Sequence, residues 1–172
     1  MDRNIEIKAR VENAREFETV MKKAQALADQ GPIEIAQDDT FFTCPNGRLK
    51  LRTFSDTKGE LIFYVRPDQA GPKESSYLIY PTRSPGTLRE LLTQAWGQVG
   101  RVRKHRTLFL AGRTRIHLDR VEGLGHFVEL EVVLSDGEPA EAGIAVARDL
   151  MGRLGVAPDQ LIEGAYIDLL TS

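Results

Sequence analysis

Charged and apolar side chains alternate residue by residue through segment after segment of this chain, and that pattern restricts its fold more than any other feature. From Asn4 to about Val11, Ile5, Ile7, Ala9 and Val11 share one face and Asn4, Glu6, Lys8 and Arg10 the other. The same spacing sets Arg48, Lys50 and Arg52 against Leu49 and Leu51, and brings Tyr64 and Arg66 together on one face. It places Lys104 and Arg106 on one face, and Arg113, Arg115, His117 and Asp119 opposite Thr114, Ile116 and Leu118. In the last such segment Phe127, Glu129 and Glu131 oppose Val128, Leu130 and Val132. The polar face of a half-exposed strand ordinarily carries scattered, solvated side chains; here it carries recurring arginine, lysine and carboxylate.

Strands are expected at 4–11, 39–43, 48–53, 60–66, 75–81, 101–110, 113–120 and 126–134, joined by turns at Pro45-Asn46-Gly47, Ala111-Gly112 and Gly123-Leu124-Gly125. Asn13 and Glu16 form a capping-box signature for a helix reaching about Ala28, which Gly31-Pro32 would stop. Further helices are expected at about 87–96, opened by Ser84-Pro85 and with Glu90 placed to complete a capping box on Thr87, and at 138–154 and 160–170. Short connections make the pairing mostly antiparallel. About eight strands of this kind close into a barrel just wide enough for a small ligand. If the apolar faces turn outward beneath about four amphipathic helices, the charged faces line the lumen. The fold class is then α+β, a single domain over 1–172 built on an eight-stranded antiparallel β-barrel with a charged interior.

Buried charges on this scale need counter-charge. Arginine and lysine on several strands call for a polyanion, and a triphosphate meets them with tetrahedral oxygens. Glu6, Asp119, Glu129 and Glu131 offer the hard oxygen donors that Mg2+ or Mn2+ prefers. A net charge of −2 gives no basic excess for nucleic acid, and no apolar run reaches the roughly 20 residues of a membrane span. One cysteine, Cys44, excludes an internal disulfide framework and fits a reducing compartment, so a cytoplasmic protein is expected.

The order of NIEIKARV, DTFF, GRLKLR, FYVRPD, GPKESSY, VRKHR, RIHLDRVEGLGHFVELE and YIDLL resembles the CYTH superfamily, the triphosphate tunnel metalloenzymes, which includes class IV adenylate cyclases and thiamine triphosphatases. The resemblance implies an eight-stranded tunnel in which Lys8, Lys50, Arg52, Arg66, Lys104 and Arg106 hold a phosphate chain, with Arg48 and Arg115 as additions on the same faces. It implies that Glu6, Asp119, Glu129 and Glu131 serve the metal, and that Glu6, Lys8, Glu129 and Glu131 carry catalysis. The family's opening E-x-E-x-K reads Asn4-Ile5-Glu6-Ile7-Lys8, so an amide oxygen stands where a carboxylate is expected. The function implied is metal-dependent hydrolysis of a small-molecule triphosphate. Alternatives are a class IV adenylate cyclase making cyclic AMP and a non-catalytic triphosphate-binding module. A homodimer is implied by the resemblance alone. His117 is expected to be a hydrogen-bonded lining residue; His105 and His126 are expected on the helix-covered side, and Tyr166, Ile162, Ile167 and Leu170 over the barrel's outside.

Overall fold

A computed structural model describes residues 1–171; Ser172, the last residue of the expected domain, lies outside the described residues. The strands are β1 (Asp2–Val11), β2 (Gln30–Phe42), β3 (Arg48–Ser55), β4 (Lys58–Val65), β5 (Lys73–Thr82), β6 (Gln98–Ala111), β7 (Thr114–Val121), β8 (Gly125–Val133) and β9 (Leu161–Ile162). The helices are α1 (Ala14–Leu27), α2 (Pro85–Trp96), α3 (Ala140–Arg153) and α4 (Tyr166–Thr171). Strands pair in the order β5-β4-β3-β2-β6-β7-β8-β1, and β1 returns to β5 to close an eight-stranded antiparallel barrel. β5 covers β1 only from Asp2 to Glu6; beyond it β9 pairs with Lys8 and Ala9, continuing the wall where β5 departs.

The apolar faces turn outward, as the alternation predicts. Ile5, Ile7 and Ala9 of β1, Ile116 and Leu118 of β7, and Val128 and Leu130 of β8 form one buried cluster. Phe17, Val20 and Ala24 of α1 and Ala147 and Met151 of α3 cover it. Burying each such large side chain contributes about 1.5–3 kcal/mol. α3 lies close because Gly143 faces β1: a Cβ there would stand 2.6 Å from Ile5 Cγ1. α1 begins as predicted, with the Asn13 side chain accepting from the Glu16 amide at 2.9 Å. α2 is fastened to the outer wall by Arg89, which donates to Thr40 Oγ1 and Thr53 Oγ1.

Several boundaries differ from expectation. β2 is not a short strand at 39–43: it starts at Gln30 and runs through Gly31-Pro32, paired along the 14-residue β6. The sheet tolerates the proline because the register slips between Gln30 and Ile33, where no regular ladder bond is required. α2 opens at Ser84-Pro85 as expected, and because proline suits the first helical turn Thr87 lies inside the helix rather than at its cap. The segment expected as one helix over 160–170 divides into a 3-10 turn, β9 and α4.

α4, like the other three helices, lies outside the barrel, seated across one end of it rather than along its side. Ala165, Tyr166 and Ile167 pack with Phe41, Val102, Val121 and Phe127, which are inward-facing residues, and so plug one end. The plug fits because Gly100 has no side chain; a Cβ there would stand 2.6 Å from Ile167 Cδ1. The opposite end is open. Among the described residues no helix is long and apolar enough to cross a membrane.

Candidate functional site: a charged tunnel closed at one end

The barrel encloses a cavity of about 310 Å³ whose wall is built from alternate residues of all eight strands. Its basic side comes from β3 and β6, where strand alternation brings Lys50, Arg52, Lys104 and Arg106 to the interior. Their charge is met by a residue the sequence reading passed over, Asp39 of β2, which is 1% exposed. Arg52 donates to both Asp39 oxygens, at 2.9 and 2.8 Å; Lys104 Nζ donates at 2.9 Å and Lys50 Nζ lies 3.7 Å away. Arg106 grips Asp119 with two bonds of 2.8 and 2.9 Å.

The acidic side comes from β1, β7 and β8. Register pairs Glu6 with Glu131 and Lys8 with Glu129, and on the other flank His117 with Glu129 and Arg115 with Glu131. Lys8 Nζ lies 3.1 Å from Glu129 Oε2 and 3.8 Å from the centre of the Tyr166 ring, a cation–π contact. His117 stands between the carboxylates, Nδ1 3.3 Å from Glu129 and Nε2 3.3 Å from Glu131. Asn4 Nδ2 donates to Glu131 at 3.0 Å, Arg115 donates to Glu131 at 3.4 Å, and Arg66 approaches Glu6 at 3.5 Å.

These neighbours set the charge states. Burial opposes ionisation of Asp39, but Arg52, Lys104 and Lys50 outweigh it and hold the carboxyl well below its usual range. Burial also works against Asp119, yet Arg106 brings it down to about 2. Glu129 is held low against burial by Lys8 and His117, and Glu131 against burial by His117 and Arg115. Glu6 goes the other way: burial, then repulsion from Glu129, raises it. Burial and the adjacent Arg52 bring Lys50 down to about 7, and burial brings Lys104 to about 8.

Most residues expected at the site converge on this one cavity: Asn4, Glu6, Lys8, Glu129 and Glu131 on one side, Lys50, Arg52, Lys104 and Arg106 on the other, with Arg66 and Arg115 also in its lining. Three lie apart. Asp119 is fully buried beneath Arg106 and accepts the Tyr166 hydroxyl at 2.7 Å. Arg48 turns to Asp168 of α4, 2.6 Å away at the plugged end. Arg113, read as inward-facing, instead holds Glu138 on the exterior, because it lies one residue before β7 begins. His117 lines the tunnel as expected. His126 packs on Phe17 of α1, whereas His105 pairs with Glu34 in solvent rather than under a helix.

Asp39, Gln37, Lys73 and Tyr166 were not singled out for the site. Asp39 and Gln37 follow the alternation of β2 with Ile35 and Phe41, a signal hidden while the strand was read as beginning at Asp39. Lys73, 1% exposed, donates to the Gln69 and Glu163 carbonyls and so ties the β4–β5 loop to the segment before α4.

The donor set suits a divalent cation. Ligating atoms of His117, Glu129 and Glu131 lie within 4.8 Å of one another. Next to them Asn4 Oδ1 is buried without a hydrogen-bond partner, an acceptor left for a cation or an external donor.

The chain is similar to proteins of the same construction. It is 26% identical over 152 residues to the adenylate cyclase CyaB of Aeromonas hydrophila, covering 82% of this chain and 78% of that protein. The PH1012 protein of Pyrococcus horikoshii OT3 superimposes with a TM-score of 0.84 at 27% identity, covering 96% of this chain and 98% of that one. A putative adenylyl cyclase from Hippeastrum, described as having a dominant triphosphatase activity, shares the fold with a TM-score of 0.65 at 15% identity, covering 94% and 91% of the two chains. The profile of the CYTH domain matches residues 2–166. A match of that extent on a closed tunnel of paired charges makes the chain a member of the CYTH domain family.

Proposed function

We propose that the protein is a divalent-metal-dependent triphosphatase, and the observation that carries this reading is the division of one closed-ended tunnel into a basic wall and a carboxylate wall. Lys50, Arg52, Lys104 and Arg106 hold the phosphate chain along the basic wall, Arg by paired N–H bonds and Lys by charge. Glu129, Glu131 and His117, with Asn4 Oδ1, are the residues that would hold Mg2+ or Mn2+. When bound, the ion supplies neutralisation of charge on the phosphate oxygens.

The chain's own groups do the rest by position and electrostatics. Lys8, fixed between Glu129 and the Tyr166 ring, keeps a positive charge between the two walls. Glu6 has the highest proton affinity of the three carboxylates, which suits it to take a proton from attacking water. In that step the water oxygen bonds to the terminal phosphorus and its proton passes to Glu6; the bond from that phosphorus to the bridging oxygen breaks, the diphosphate leaves with that oxygen, and the terminal phosphorus becomes free phosphate.

The similarity to an adenylate cyclase favours a second reading, in which a ribose hydroxyl of ATP attacks in place of water and pyrophosphate is the product. Incubation with tripolyphosphate and with ATP, each with Mg2+ or Mn2+, separates the two. Phosphate release is the expected result; cyclic AMP as the dominant product would overturn it. Tight binding of both compounds with no product under any metal would make the tunnel a binding module.

Lys50 gives the reading a pH signature. Its pKa in the free tunnel is about 7, and a bound polyanion favours the charged amine. Above pH 7 the ligand therefore binds with uptake of a proton, and Kd rises with pH by up to about tenfold per unit, the limit for one coupled proton. Calorimetry at pH 8 in two buffers of different ionisation enthalpy reads this uptake directly. Equal heats in both buffers would contradict it, and Lys50→Arg, which stays charged, is expected to remove the part of the dependence that begins near pH 7 and to leave the part that begins near 8, where Lys104 takes up its own proton.

A further inference from the structure

His117 touches both carboxylates of β8, and as a neutral side chain it can donate to only one of them. Its Nδ1 is hydrogen-bonded at 3.3 Å to Glu129 Oε1, on the residue directly opposite it in the barrel wall. Its Nε2 lies 3.3 Å from Glu131 Oε1. A neutral imidazole carries a single N–H. With that proton directed to Glu129, Nε2 presents a lone pair to a carboxylate oxygen, and the histidine is only 3% exposed. Two buried acceptors that face each other call for something positive between them.

A third acceptor belongs to the same group. Asn4 donates through Nδ2 to Glu131 Oε2 at 3.0 Å. This leaves Oδ1 of the same amide without a hydrogen-bond partner among the described residues, on a side chain 2% exposed. An imidazolium donating to both glutamates would account for His117 but not for Asn4. A divalent ion accounts for both. The spacing agrees with it. Two donors about 2.1 Å from one ion, at right to tetrahedral angles, stand roughly 3.0–3.4 Å apart. The bond from Nδ1–H to Glu129 then has the usual place of a ligating histidine's second nitrogen, where a carboxylate fixes the tautomer and the ring.

This is not the all-oxygen shell that suits Mg2+. Beside its carboxylates it offers one imidazole nitrogen and one uncharged amide oxygen. Mg2+ draws on hard oxygen ligands and negative charge, whereas imidazole nitrogen favours first-row transition ions. We infer that His117 Nε2 is a direct metal ligand and sets the metal preference of the tunnel, which takes a transition ion of the class of Mn2+, Co2+ and Zn2+ ahead of Mg2+. The inference rests on the metal-dependent reading above and narrows the ion that reading uses.

The test titrates the metal-free protein with Mg2+, Mn2+ and Co2+ by calorimetry, with and without tripolyphosphate. Affinity is expected to rise in that order, with Co2+ about 10–100-fold tighter than Mg2+. Pulsed EPR of the Mn2+ complex is expected to show one imidazole nitrogen coupled to the ion. His117→Gln, which puts an amide in place of the ring, is expected to abolish that coupling. It should weaken Co2+ by about tenfold or more and change Mg2+ by less than about threefold. Thermal melts check that the variant folds, and the EPR of the parent decides the matter alone if it does not. Bound Mn2+ with no nitrogen coupling, or Mg2+ bound as tightly as Co2+, overturns the inference and leaves the metal-dependent reading standing. Failure of all three ions to bind, alone and with tripolyphosphate, removes that reading and the inference together.

Discussion

Glu129→Gln is expected to lower metal-dependent turnover by about 10²–10³-fold, the scale for removing one preorganised electrostatic partner from an active site. Glu129 is where the two walls of the tunnel meet. Its carboxylate faces Lys8 at 3.1 Å, His117 at 3.3 Å and Arg106 at 3.6 Å. Glutamine keeps the shape and removes the charge, so a divalent ion loses a ligand of full negative charge and Lys8 loses its counter-ion. Metal affinity, read by calorimetry without substrate, is expected to fall in parallel with kcat. The fold is expected to survive, since the outer core beneath α1 and α3 is untouched. It is expected to melt at a lower temperature, because Lys8 then loses its nearest counter-charge and keeps the Tyr166 ring and the weaker attraction of Glu6. Lys8→Met in the same background would restore melting but not turnover. Unchanged turnover in Glu129→Gln would remove this carboxylate from the mechanism.

The parts of the site legible in the sequence were those where alternation is unbroken over five or more residues. GRLKLR, TRIHLD and FVELE each carry inward and outward faces that differ so sharply in chemistry that a register slip would bury the wrong set. Those segments gave Lys50, Arg52, Arg115, His117, Glu129 and Glu131, all of which line the tunnel. β2 was harder because Gly31-Pro32 reads as punctuation and Asp38-Asp39 shows two like charges in succession. In the barrel those aspartates point to opposite faces: Asp38 pairs outside with Arg101 and Arg103, Asp39 inside with Arg52 and Lys104. The seat of α4 on the barrel's outside was hidden for a different reason. A short helix that plugs a barrel end and one that lies on its side both bury one apolar face, and periodicity does not separate them. The packing of Ala165 and Ile167 on Phe41, Val102 and Val121, with the contacts of Tyr166 to Asp119 and Lys8, reveals which it is.

The second large effect is expected at Asp39, where Asp39→Asn should weaken the free protein and strengthen its grip on polyphosphate. Three cationic groups, from Lys50, Arg52 and Lys104, converge on this one carboxylate in a site that is 1% exposed. Removing one partner from a buried ionic cluster leaves uncompensated charge and costs about 3–5 kcal/mol. The loss depends on pH. The folded Asp39 pKa lies well below its ordinary value of 3.8, so its contribution is fully present above that value and is lost as pH falls through the folded one. The gap in stability between parent and variant should therefore be wide at pH 7 and close as the solution is acidified. A polyanion reverses the order. In the parent, phosphate oxygens compete with a like charge for the same cations; in the variant that carboxylate is gone and aromatic rings and weaker attractions from Glu131 and Asp119 remain. Tripolyphosphate is therefore expected to bind about tenfold tighter, or ~1.4 kcal/mol. Thermal melts with and without tripolyphosphate read both effects together, since a ligand that binds only the folded state raises its stability. The variant should start lower and gain more. A variant that starts lower but gains no more than the parent would mean that Asp39 orders the basic wall without occupying the place of a phosphate, and that the ligand-free protein does not hold a carboxylate stand-in for its substrate.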